Sequence, residues 1–336
     1  MLDISTLEKF DPKGMYKIYD KWPQIAREVF ESNQNSIDFN NVNHIVFSGM
    51  GGSGAIGDMF SSLLSKTKIH VNVVKGYHLP QTVDSNTLIV AVSVSGNTAE
   101  TLFVLDSANR RGSKIIAFSS GGKMQDYCTK NKIEHRIVTQ YHSARASFTS
   151  YLYTILNVLH STFDINKQDI NDSINELEKL YKSISSTNLT MDNPSLDLAK
   201  WISGIPVIYY PFGLQGAAIR FKNSLQENAK THAMAEDIIE ACHNGIVSWE
   251  KSSNVHPILL EGADDHIKTK ERWKVIKEYF EANHIEYREV FSIKGAILSK
   301  LITLVYLLDY TTIYLAILSK IDPSPISSIN FIKNRI

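Results

Sequence analysis

The apolar positions of the chain gather into short unbroken runs, each closed by serine or glycine and followed by residues at helical spacing. His44–Ser48 (HIVFS), Thr87–Ser93 (TLIVAVS) and Lys114–Ser119 (KIIAFS) are the clearest in the first half, with His70–Val74 and Ile133–Val138 as weaker versions. Continuous apolar runs bounded by turn residues predict strands buried on both faces, and their alternation with helices predicts a doubly wound α/β fold with parallel sheets. After Tyr151 the texture changes: YLYTILNVLH is helical, and Asp164–Ile184 places isoleucines and leucines at helical spacing. The strand pattern resumes at Ile205–Pro211 (IPVIYYP), which runs through Phe212 into Gly213–Ala218 about 160 residues after the first such unit. Pro257–Glu261 and Glu286–Phe291 continue it. The pattern predicts a weak internal duplication: an N-terminal α/β subdomain over residues 1–155, a helical bridge over 156–200 and a C-terminal α/β subdomain over 201–336.

Leu301–Ser319 is apolar over nineteen residues, near the length of a membrane span, but carries Asp309 at its middle beside Thr303, Thr311 and Thr312. A central aspartate costs about 2.5–3.5 kcal/mol on insertion, so the segment reads as a buried core or interface helix. The 336 residues amount to about two domains. Thirty-five basic residues balance thirty-five acidic ones, which speaks against nucleic acid as the main partner. Two cysteines, Cys128 and Cys242, make no disulfide framework and fit a reducing compartment. The opening MLDISTLEKFDPKG has neither the basic start nor the apolar run of a signal peptide, and a cytoplasmic protein is expected.

Of the seventeen glycines, five fall within GMGGSGAIGD, between Gly49 and Gly57. Glycines packed behind a strand let backbone N–H groups approach a ligand, and a helix starting there favours an anion. Gly49, Gly51 and Gly54 also satisfy GxGxxG, but a dinucleotide site wants an acidic residue at the end of the next strand, which here reads Val73-Val74-Lys75-Gly76. The second loop, SVSGNTAETL at Ser93–Leu102, puts Ser93, Ser95, Asn97 and Thr98 at another helix start. These side chains cap helices, with Glu100 completing the cap, yet hydroxyls and amides also hold a phosphate without lysine or arginine. Two such loops on one sheet favour a phosphate cradle. His232, Glu236 and Glu240 stand at i, i+4 and i+8, the spacing of one helix face; without a third imidazole or a zinc signature they read as a solvated face, and no metal is expected.

SVSGNTAETL resembles the phosphosugar-binding loop of sugar isomerase (SIS) domains, and together with GMGGSGAIGD the chain is similar to the bifunctional phosphoglucose/phosphomannose isomerases. The resemblance extends to Arg145 in SARASF, to QENAK at Gln226–Lys230, to His243-Asn244, and to DYTTIYLAILSKIDPSPISSINFIK at Asp309–Lys333. It therefore covers nearly the whole chain, in order. It implies two SIS-type subdomains and interconversion of fructose 6-phosphate with glucose 6-phosphate and mannose 6-phosphate through an enediolate, without cofactor or metal. Glu227 is the implied base; one carboxylate can take the proton from one carbon and return it to the other. His243 is implied in ring opening, with a pKa suited to acid–base work near neutrality. Arg145 would stabilise the enediolate charge, and Lys333 would assist at the ring oxygen. Gly52, Ser53, Ser93, Ser95 and Thr98 would hold the phosphate. The resemblance also implies a homodimer in which His243 can serve the partner's site, with the helix around Leu301–Leu318 as apolar surface to bury.

Three positions depart from the family's habit: Val94 where an aromatic is usual, Ala144 where proline is frequent, and Gly245 where a glutamate commonly follows the His-Asn pair. They touch the shape of the pocket rather than a catalytic group. Two alternatives stay open: a non-catalytic SIS phosphosugar sensor, for which the stretch before His44 leaves little room for a DNA-binding module, and another SIS enzyme acting on aminosugar phosphates.

Overall fold

The computed structural model describes residues 2–335. Three helices open the chain, α1 (Ile4–Phe10), α2 (Met15–Asp20) and α3 (Trp22–Glu31). The first parallel sheet follows as β1 (His44–Ser48), α4 (Gly51–Leu63), β2 (His70–Val74), β3 (Leu88–Ser93), α5 (Ala99–Arg110), β4 (Lys114–Ser119), α6 (Gly122–Asn131) and β5 (Glu134–Ile137), closed by α7 (Phe148–Leu159). After α8 (Lys167–Ile184) and α9 (Pro194–Trp201) come β6 (Ile205–Tyr210), α10 (Gln215–Asn228), β7 (Met234–Asp237), α11 (Ile238–Ala241), a 3₁₀ turn over Gly245–Glu250, β8 (Val255–Glu261), α12 (Ile267–Ala282), β9 (Arg288–Phe291), α13 (Ile297–Leu318) and α14 (Ser327–Lys333). The strands expected from apolar runs form where the runs lie. One correction is needed: His232–Glu240 is not a helix but a loop, strand β7 and the single turn α11, so the regular spacing of His232, Glu236 and Glu240 does not put them on one helix face.

The chain divides into two compact units: Lys21–Glu178 with Gly295–Ile302, and Met1–Asp20 with Lys179–Lys294 and Thr303–Ile336. The first carries a sheet of order β2-β1-β3-β4-β5, the second β7-β6-β8-β9, with every pairing parallel. The second order is the first without its last strand, so the duplication is one of topology. In the first unit alternate strand residues serve opposite faces. Val46, Ile89, Ala91, Ile115 and Ala117 pack with Val104, Leu105 and Met124 from α5 and α6. Phe47 faces the other way and stacks on Phe60 of α4, ring centroids 4.8 Å apart.

In the second unit a polar line joins α10 to α13. Arg220, Ser224 and Asn228 recur every four residues on α10, so they share one face. Arg220 Nε and Nη2 donate to Asp309 Oδ2, Ser224 Oγ donates to Asp309 Oδ1 at 2.8 Å, and Asn228 Nδ2 donates to Thr312 Oγ1 at 2.9 Å. The Tyr19 hydroxyl adds a fourth donor to Asp309 at 3.3 Å. Arg220 is 2% exposed and Asp309 fully buried, which accounts for an aspartate at the centre of an apolar helix. α13 is long and apolar enough to cross a membrane, but 89% of its most apolar window is buried within the protein.

A second buried carboxylate, Glu261 at the end of β8, shares the Lys277 ammonium with Glu289, at 3.0 and 2.6 Å. Burial pushes Glu261 up to about 7, while Glu289, half-exposed and closer to the ammonium, is held below its ordinary value by Lys277 and by the hydrogen bond from Glu261.

Asp309→Asn should cost about 3–5 kcal/mol of stability by leaving the Arg220 guanidinium buried and uncompensated. Denaturant unfolding checks this, and Asp309→Leu combined with Arg220→Met should cost less than the two singles summed. A carboxyl raised in the folded state keeps a proton that the unfolded chain releases, so Glu261 weakens the fold as pH climbs from about 4.5 to about 7. Stability curves at pH 5 and pH 8 should therefore show Glu261→Gln gaining on the natural protein as pH rises.

Candidate functional site: a phosphate cradle and an acid–base unit

In the first unit the strand order reverses between β1 and β3, so the loops leaving their carboxyl ends flank a crevice, the usual ligand position in open α/β sheets. The loops are the two glycine- and serine-rich segments. They are tied directly, since Ser53 Oγ accepts a hydrogen bond from the Val94 amide at 3.1 Å. Ser93 Oγ donates to Thr98 Oγ1 at 3.0 Å, and Ser95 Oγ accepts from the Asn97 amide. Thr98 is the N-cap residue of α5 but makes no side-chain cap bond, so its hydroxyl is turned to the loop rather than to the helix end.

Glycine is required at particular points. Gly51 has φ +53°, in the left-handed region. A Cβ on Gly52 would stand 3.1 Å from the Arg145 amide nitrogen, so the absence of a side chain lets the Arg145 segment lie against the first turn of α4. Arg145 is 5% exposed. Its segment is held on both sides: Trp22 Nε1 donates to the Ala146 carbonyl at 2.8 Å, and Ser147 Oγ donates to Ser143 O. Gly52, Ser53, Ser93, Ser95, Thr98 and Arg145 thus belong to one neighbourhood. Lys75, the residue that follows β2, is engaged by Asp58 at 2.6 Å, so its charge is matched beside the glycine turn.

A third strand end supports the cradle, and sequence reasoning passed over it. Gly96, φ +68°, lies so close to the turn after β4 that a Cβ would fall on the Gly121 carbonyl. Met124 N donates to Gly96 O, Lys123 N to Asn97 Oδ1, and Ser120 Oγ to Val94 O at 2.7 Å. Behind this turn Ser119 Oγ and His135 Nε2 are 2.8 Å apart, with burial lowering the imidazole pKa. The signal available was Ser119-Ser120-Gly121-Gly122, a third polar strand end on the same sheet.

The second unit holds the other expected residues. Glu227 lies in the last turn of α10, half-buried, next to Asn228, whose amide is fixed on Thr312. His243 is exposed and follows α11, with its amide bonded to Glu240 O. Asn244 donates to Glu240 Oε1 and accepts from Gly245 N. A Cβ at 245 would stand 2.6 Å from Glu236 Oε2, so the Glu236 carboxylate fills the space that a larger residue after Asn244 would need. Burial, then Glu240 and Asp237, raise the Glu236 pKa. Cys242, beside His243, is pushed up by burial, which disfavours a thiolate nucleophile there. It lines an apolar cavity of about 550 Å³ with Ile246, Arg272, Val275 and Tyr279, which none of the expected site residues enters. Lys333 is exposed on α14. Among the described residues no cluster of histidine, cysteine and carboxylate groups could hold a metal ion.

The chain matches two family models: the SIS domain over residues 38–163, and the bacterial phospho-glucose isomerase C-terminal SIS domain over 191–336. It is 28% identical to a bifunctional phosphoglucose/phosphomannose isomerase of Caldicellulosiruptor bescii, over 96% of this chain and 98% of that protein. It is 30% identical to a D-glucosamine-6-phosphate 4-epimerase of Sulfolobus acidocaldarius, over 73% of this chain and 77% of that one. Among solved structures, hypothetical protein TT0462 from Thermus thermophilus superposes with a TM-score of 0.73 at 14% identity, covering 98% of this chain and 91% of that one. The C-terminal domain of glucosamine-fructose-6-phosphate aminotransferase from Francisella tularensis superposes with 0.67 at 16%, covering 92% and 96%. Two SIS domains in tandem, in the order and over the length of these relatives, make the chain a member of the bifunctional phosphoglucose/phosphomannose isomerase family.

Proposed function

We propose that the protein is an aldose–ketose isomerase that interconverts fructose 6-phosphate with glucose 6-phosphate and with mannose 6-phosphate. The observation that carries the reading is the hydroxyl- and amide-lined cradle at the β1/β3 crevice, locked by Ser53 to Val94, in a chain of this family. A sugar phosphate seated there is anchored alike in ground and transition states, leaving rate enhancement to the groups at the carbon chain. Starting from fructose 6-phosphate, the Glu227 carboxylate takes a proton from C1, the electron pair moves into the C1–C2 bond, and an enediolate forms. Return of that proton to C2, with the hydroxyl proton passing from O1 to O2, gives the aldose. The enediolate is planar, so delivery to one face gives glucose 6-phosphate and to the other mannose 6-phosphate.

In this reading His243 moves the proton at the ring oxygen during opening, Lys333 assists there, and Arg145 stabilises the enediolate oxygen. Gly52, Ser53, Ser93, Ser95 and Thr98 bind the phosphate. The enzyme works as a cytoplasmic homodimer, and His243, exposed in the single chain, is free to serve the partner's site. A second reading, action on an aminosugar phosphate, is favoured by the likeness to the Sulfolobus acidocaldarius epimerase.

The test supplies fructose 6-phosphate in the presence of EDTA and quantifies both aldoses, with glucosamine 6-phosphate in parallel. Formation of both hexose phosphates supports the first reading; conversion of glucosamine 6-phosphate alone supports the second. Glu227→Gln keeps size and polarity but removes the base, and should lower kcat about 10²–10⁴-fold with KM little changed. Ser53→Ala leaves the Val94 amide without its acceptor, a loss of about 1–3 kcal/mol. Steady-state kinetics should show KM rising for every hexose phosphate by the same factor, since the phosphate is common to all.

A further inference from the structure

Lys230 ends the segment QENAK, and the reading above gives it no role. It follows the C-cap of α10 in a left-handed conformation, φ +56°, and its side chain folds over the helix end. Its Nζ donates to three carbonyls: Glu227 O, one of the last of α10, Pro325 O at 2.8 Å and Pro323 O at 3.4 Å. An ammonium has three donors and no acceptor, so this ring of carbonyls suits it, and a cation at a helix carboxyl end is favoured by the helix dipole.

The carbonyls come from two places far apart in sequence, the end of the Glu227 helix and the DPSP turn. In that turn Pro323 and Pro325 restrict φ, and Asp322 Oδ1 accepts from the Ser324 amide at 2.8 Å. Two residues beyond Pro325, α14 begins, and it buries none of its residues; Phe331 and Ile332 are more than half exposed. A helix with so little buried surface takes its position from the turn before it, and the turn is gripped by Lys230.

We propose that Lys230 is a positioning residue: a latch that fastens the C-terminal segment to the end of the Glu227 helix and so sets where Lys333 stands. The kinetic part rests on the reading of Glu227 and Lys333 above; the latch itself does not. The test uses the full chain and compares Lys230→Met, Lys230→Asn and Lys230→Arg. Asparagine suits the left-handed conformation, so that variant keeps the fold while removing the ammonium.

Hydrogen exchange at the amides of residues 327–335 should quicken at least tenfold in the Met and Asn variants, with β6 and the middle of α10 unchanged, and Arg should restore much of the protection. With fructose 6-phosphate, the Met variant should lose kcat rather than KM, and combining it with Lys333→Met should cost no more than Lys333→Met alone. Unaltered tail exchange in both Met and Asn variants overturns the latch. Quickened tail exchange with fully active Lys333→Met supports the latch and overturns the catalytic reading of Lys333.

Discussion

The buried bond between Arg220 and Asp309 is the constraint on which the second unit depends. Neither group could sit inside without the other, because a lone buried charge costs several kcal/mol. The guanidinium points one way along α10 and the carboxylate has one place on α13, so the pair sets register as well as separation. Ser224 and Asn228 extend the register by two further turns, and Glu227 lies between them. The bonds from Arg220, Ser224 and Asn228 to α13 thus fix the helix from which the proposed base projects. Apolar packing alone would leave α10 freer to slide or rotate, since leucine and isoleucine contacts interchange at small cost.

The two sheets share an order but not a use. In the first unit the loops beyond β1 and β3 carry glycines and small hydroxyls, so N–H groups and short donors converge on the crevice. In the second, the loop beyond β8 is tied to itself and to the end of β9: Gly262 N donates to Asp265 Oδ2 and Ala263 N to Ser292 Oγ. Asp265 also accepts from Trp273 Nε1, and Glu261 sits at the strand end. These polar groups are already engaged by one another and by Lys277, so the strand end is internally satisfied. The duplicated topology thus serves the proposed anion cradle in one unit, while the other unit carries Glu227, His243 and Lys333.

The central strands are legible because burial on both faces leaves no polar interruption, and β1 and β4 match their apolar runs residue for residue; β2, an edge strand broken by Asn72, is the weaker run. The cradle loops were legible from glycine density and small hydroxyls. β7 was not: MAED has one apolar residue of any size, and its strand conformation comes from pairing with β6, a tertiary effect that propensity does not carry. The three helices before His44 lie outside the strand–turn–helix pattern, although Tyr16, Tyr19 and Trp22 are buried. Lys230 stayed hidden for another reason. A lysine reaching three carbonyls leaves no trace in composition or spacing, because two of its acceptors are peptide oxygens nearly a hundred residues away.

The interlock between Gly96 and the turn at Gly121 bears on how the protein is assembled. The Val94–Asn97 loop draws its supporting bonds from Ser120, Lys123 and Met124, so the cradle has no finished form until β4 and the start of α6 have docked. On the proposed reading, phosphate binding in the cradle and completion of that third strand–helix unit are linked equilibria. At a sugar phosphate concentration a hundredfold above Kd, mass action alone adds about 2.7 kcal/mol to that completed state. If the sugar phosphate seats in the proposed cradle, it acts as a late structural component of the first sheet, and a chain well supplied with it is a more durable one.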